Sequence, residues 1–158
     1  MTEEALEQRF LEAVRFKEEW EATKSSDSFE NCIAILDEIL AAHPQQIGVL
    51  KLKGLICYSA GTDLESAATC FQRMVELCPH SENYSSLLFI ALYKGGDFYA
   101  AADEMEAFLS KNQIGRHYRH IVEDYWESFE QWKNYVYPEC FPNVMQALES
   151  KGLSDEFE

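Results

Sequence analysis

Apolar residues recur every three or four positions along almost the whole chain, the period of a helix buried on one face. Leu6, Phe10, Val14, Phe16 and Trp20 predict one long helix over residues 3–24. Glu3, Glu4 and Glu7 sit in its first turn, where the positive end of the helix dipole favours acids. Cys32, Ile33, Leu36, Ile39 and Leu40 predict a second helix over 29–42, led in by the turn Ser25-Ser26-Asp27-Ser28 and closed by His43-Pro44. The same period predicts helices over 47–60, 64–77, 82–94 and 98–111. Connections this short make successive helices antiparallel neighbours. Beyond Gly115, Tyr118, Ile121, Val122, Tyr125, Phe129, Trp132 and Val136 share one face of a further helix, 116–137. Pro138 and Pro142 interrupt it, and 142–158 reads as a short helix to Lys151 followed by an acidic tail.

The turns between these helices repeat. Gly61-Thr62-Asp63-Leu64 is followed by Ala67, and Gly96-Asp97-Phe98 by Ala101. The glycines suit a left-handed helix stop, and the aspartates can cap the next helix. Asp27-Ser28-Phe29 followed by Cys32 has the same order. Phe29, Leu64 and Phe98 lie 35 and 34 residues apart, as do Cys32, Ala67 and Ala101, and Pro44 and Pro79 are 35 apart. Helical hairpins at a period near 34 are the signature of tetratricopeptide repeats.

Over residues 13–113 the chain therefore resembles the tetratricopeptide repeat family. The second helix of each pair carries the match. The family's first-helix pattern survives in the middle copy as Leu50, Lys53-Gly54 and Cys57, while Phe89 stands where the third copy would have glycine. The resemblance implies an all-α fold, a solenoid of about three helical hairpins with C-terminal capping helices, in a single domain over 1–158. Repeat one would cover 3–44 with an N-terminal overhang, repeat two 47–79 and repeat three 82–113, with 116–137 capping the open end. It also implies a groove lined by the first helices, here Lys51, Leu55 and Tyr58, then Asn83, Ser86, Ile90 and Tyr93. Family members that clamp a peptide's terminal carboxylate use lysine, arginine and asparagine there. Lys51 and Asn83 are a fragment of that set without an arginine.

Composition changes the picture in one respect, the partner. Twenty-eight acids against 13 bases give a formal charge of −15 over 158 residues. A nucleic-acid binder needs a basic footprint, and an anionic membrane repels such a surface. The charge favours solubility and a basic protein or peptide partner. Hydrophobic content of 47% argues for a compact fold. Five cysteines without a CxxC pair fit a reducing compartment. Without an apolar run of membrane length or a leader-like start, the expected location is the cytoplasm.

No pattern carries catalysis. There is no glycine-rich phosphate loop, no Gly-x-Ser-x-Gly and no cysteine beside a histidine base. His117-x-x-His120 has ligand types at helical spacing, but no cysteine joins it, and its reading is a solvated face. No cofactor or metal is implied. The aromatics of 116–137 are core by spacing, except that Trp126 and Tyr137 are poorly placed for that face. Trp126 is therefore a candidate contact residue.

The expectation is a non-enzymatic protein-binding module. In build it resembles the small acidic tetratricopeptide chaperones of secretion systems, and an acidic immunity protein masking a basic toxin would share that build. The competing expectation is a self-associating protein, a homodimer through Leu6, Phe10 and the capping helix.

Overall fold

A computed structural model describes residues 1–124. Six helices follow in order: α1 (Glu3–Thr23), α2 (Ser26–Ala42), α3 (Ile47–Ala60), α4 (Leu64–Leu77), α5 (Glu82–Lys94) and α6 (Phe98–Lys111). Residues 116–124 are also helical, here α7, and no strand occurs among the described residues. The fold class is all-α. The chain divides into two compact units, Met1–Cys70 and the chain from Phe71 on, with the division inside α4. The expected elements beyond Asp124, including Trp126 and the short helix and tail over 142–158, lie outside the described residues.

In the first unit α1 and α2 pack along their length. The Thr2 side chain accepts the Ala5 N–H at 3.1 Å and starts α1. Lys24 ends it with φ 56°, its N–H returning to the Trp20 carbonyl. One expectation is corrected here. Helix α2 begins at Ser26, not Phe29, because the Ser25 hydroxyl accepts the Ser28 N–H and supplies the cap. Asp27 is then a first-turn acid rather than a turn residue.

Ala13, Cys32, Ile35, Leu36, Ile39, Val49 and Ile56 form the buried core of this unit. Leu36 and Ile39 are fully buried, each contributing about 1.5–3 kcal/mol. The Cys32 thiol donates to the Ala13 carbonyl at 3.2 Å, and both residues are fully buried. Two ion pairs bind the flanking helices to α2. Arg9 reaches Glu38 from α1, and Lys53 reaches Asp37 at 2.6 Å from α3. Burial opposes the charge on Lys53, but the Asp37 hydrogen bond holds its pKa above the ordinary value.

In the second unit α5, α6 and α7 surround Phe89, Ala101, Met105, Phe108 and Tyr118. Gly96 takes φ 88°, and Asp97 accepts the Ala100 N–H at 3.2 Å to start α6. Tyr118, Ile121 and Val122, placed on one face by their spacing, are all buried. Tyr118 meets Phe89 edge-on, with ring centroids 6.1 Å apart. Its phenol lies 2.5 Å from the Ser85 hydroxyl, which donates to Glu104 at 3.0 Å. The single Ser85 proton is thus committed to Glu104, so Tyr118 donates to Ser85. Burial pushes the Tyr118 phenol and the Glu104 carboxyl up from their ordinary values.

Candidate functional site

Helix α1 presents Glu3, Glu7, Phe10, Lys17, Glu21 and Lys24 at intervals of three, four and seven, one continuous stripe along a helix. Helix α3 presents Gly48, Leu52, Leu55 and Ser59 in the same way. These stripes face each other across a seam within the first unit, and the seam opens at both ends. Towards the start of α1 is a cavity of about 380 Å³, with Leu6, Phe10 and Val49 as its apolar wall and Glu3 and Glu7 on its rim. Towards the end of α1 is a cavity of about 420 Å³ lined by Trp20, Leu52, Leu55 and Ile56, with Lys17, Glu21, Lys24 and Ser59 around it. A second space of about 400 Å³ continues it past Trp20 to Phe29 and Thr62. Glu7 and Glu21 are about 20 Å apart along α1 at 1.5 Å per residue.

The two ends differ in sign. Glu3 and Glu7 make one end acidic, as the whole chain is. At the other end Lys17 and Lys24 outnumber Glu21, which Lys17 meets at 3.1 Å. Lys24 lies over the Trp20 ring, 4.6 Å from its centroid, a contact contributing about 0.5–1 kcal/mol at an exposed site. Trp20 in turn rests on Phe29, with ring centroids 5.5 Å apart. Lys24 is the one non-glycine residue with positive φ among the described residues, whereas the turns after α3 and α5 place Gly61 and Gly96 there. A side chain in that conformation costs about 1–2 kcal/mol relative to glycine.

Of the residues expected to line a groove, Leu55 lies in this seam. Lys51 and Tyr58 are half-buried on α3 but outside the cavity linings given above. In the second unit, Asn83 is half-buried on α5. Ser86 is buried and donates to the Asn83 carbonyl at 2.8 Å, so its hydroxyl turns back on its own helix. Ile90 and Tyr93 pack against that unit's core, Tyr93 stacked on Phe89 at 6.1 Å and edge-on to Phe98 at 5.3 Å. Sequence reasoning missed Lys17, Lys24, Leu52 and Ser59 and took Trp20 only as core. The signal was a lysine at the first turn, where the other two turns have glycine.

The buried thiols have a simple physical state. Burial pushes Cys32 and Cys57 up to about 11, and Cys70 up as well, so all three stay protonated at neutral pH. His120 lies 3.6 Å from Glu123. Among the described residues no three histidine, cysteine or acidic side chains converge as metal ligands. No described helix is long and apolar enough to cross a membrane.

No family model matches this chain, and no curated protein or solved structure was found similar to it.

Proposed function

We propose that this chain is a non-catalytic, cytoplasmic protein-binding module built of tetratricopeptide-like helical hairpins, and that it holds a segment of a partner protein along the seam between α1 and α3. The observation that carries the reading is the seam itself, an apolar wall opened in two places with charged rims at both. Side-chain pockets of that kind suit anchors of a polypeptide rather than a reaction centre. The ~34-residue recurrence of turn and small residue supports the repeat reading. Cys32, Ala67 and Ala101, the small residues of that recurrence, are all fully buried.

The partner is basic overall. A charge of −15 steers cations towards the surface, and Glu3 and Glu7 flank the pocket over Leu6 and Phe10. This acidity fits a dedicated chaperone or an inhibitor masking a basic protein. The test is to isolate the partner and follow association and dissociation as salt is raised. Association should slow while dissociation changes little, and Leu55→Glu should speed dissociation. An acidic partner, or an association rate indifferent to salt, overturns the basic-partner reading. A partner whose binding ignores Leu55→Glu overturns the seam.

Self-association is the second reading, because Leu6 and Phe10, half-buried against the core of the first unit, also form the wall of an open cavity. Light scattering over a concentration series separates the two. A dimer lost on Phe10→Glu favours assembly, and a monomer favours capture of another protein.

A further inference from the structure

We infer that the Trp20 end of the seam is a pocket for one apolar side chain flanked by a carboxylate, on an acid-bearing segment of the bound protein. The inference rests on reading the seam as a binding cleft. Two independent observations point to it. The first is charge: in a chain with 15 more acids than bases, this rim is the place on the seam where cations prevail. Lys17 and Lys24 stand beside a wall of Trp20, Leu52 and Leu55, so a carboxylate and an apolar group are received side by side.

The second is conformational. Lys24 holds a left-handed backbone at the position where the other turns use glycine. The side chain it retains is laid over Trp20 at the mouth of the pocket. Glycine would end the helix with less strain and leave the rim without that ammonium group. Strain of this kind is held where a side chain is needed for a contact. Lys17 shares its charge with Glu21, so an incoming carboxylate competes with Glu21 for it. A basic partner carrying one such segment satisfies both ends of the seam, its cations at Glu3 and Glu7 and its carboxylate at Lys17 and Lys24. The seam thereby fixes the direction in which the segment lies.

The test uses the full chain and two synthetic probes, acetyl-Ser-Asp-Leu-Phe-Asp-Ser-amide and its counterpart with both Asp replaced by Asn. Binding is followed by the Trp20 indole N–H resonance, assigned with Trp20→Phe. The acidic probe should bind about fivefold tighter than the neutral one, the effect of two solvent-exposed ion pairs. Lys17→Gln with Lys24→Gln should bring that ratio to about one, and Glu21→Gln should raise it about twofold by freeing Lys17. Lys24→Gly should lower the ratio while leaving the melting temperature at or above the parent's, which a residue serving only the fold would not do. Equal affinity for the two probes, or a ratio untouched by Lys24→Gly, overturns the inference. If natural-partner binding still falls on Leu55→Glu in that case, the seam stands as a binding cleft without carboxylate recognition. If neither the partner nor the probes respond to Leu55→Glu, the seam reading has failed first.

Discussion

The Glu82 carboxylate accepts the backbone N–H groups of both Gly115 and His117, the latter at 2.7 Å. A first-turn acid of α5 thereby caps the start of α7 from 33 and 35 residues away. It lies at the positive dipole ends of two helices at once. Gly115 leaves room for this contact, since a Cβ there would come within 2.9 Å of Glu82 Oε1 and push the carboxylate aside.

Glu82→Ala should therefore destabilise the protein by about 0.5–2 kcal/mol, the usual loss for a helix cap. Gly115→Ala should do the same by displacing the carboxylate. Because both act on one contact, the double variant should lose clearly less than the sum of the two. Urea unfolding of the four proteins measures this, and strict additivity would mean that the two residues do not act through one contact.

Ala101 is fully buried among Phe89, Met105 and Tyr118. Ala101→Leu should overpack this core and cost about 1–3 kcal/mol. The readout is the thermal midpoint, where an unchanged value would show that the core has room the structure does not display.

Glu104 supplies the pH dependence. Burial raises its pKa in the folded protein above the ordinary 4.5, with Ser85 donating against that trend. The unfolded chain thus releases this proton first as pH rises. Stability contributed by Glu104 is full below 4.5 and declines as pH rises from there through the folded value. Glu104→Gln, which keeps an acceptor for Ser85, should match the parent below that window and exceed it at neutral pH. Urea midpoints against pH decide it, and a parent-minus-variant difference flat in pH would refute the assignment.

Thiol reactivity should divide the cysteines. Cys32, Cys57 and Cys70 are buried, and their thiols are held protonated. Cys78, half-buried just after α4, is the most accessible of the four described. Alkylation followed by mass spectrometry should label Cys78 well before the other three, which should react only at the rate of unfolding. Early labelling of Cys57 would mean that α3 opens locally in the native state.

Helix bounds were legible in the sequence because each is set locally. Six of the seven described helices start where the pattern predicts, and Gly61 and Gly96 adopt the left-handed conformation expected of them. The miss at α2 has a local cause too. Ser25, Ser26 and Ser28 all can cap a helix, and only the geometry shows that Ser25 does so.

Which side of a helix meets which neighbour was less legible. On α3, Lys51, Leu55 and Tyr58 form one stripe and Gly48, Leu52, Leu55 and Ser59 another, and both have helical spacing. They share Leu55, so periodicity alone cannot choose between them. Rotation of α3 against α1 chooses, and it is set by packing of Val49 and Ile56 into the core with Ala13.

By itself the sequence determined an all-α chain, its helix limits apart from the start of α2, the turn chemistry and the acidic charge, since these depend on period, backbone preference and ionisable groups within a few residues. Only the tertiary structure decided that Glu82 caps a helix more than thirty residues on, that Ser85 joins Tyr118 to Glu104, and that Lys17 and Lys24 gather at an apolar cavity in an acidic protein. Those outcomes depend on which side chains distant in sequence are brought within hydrogen-bond or ion-pair distance. That is fixed by the packing of whole helices, to which each residue's local pattern contributes but which none of them specifies.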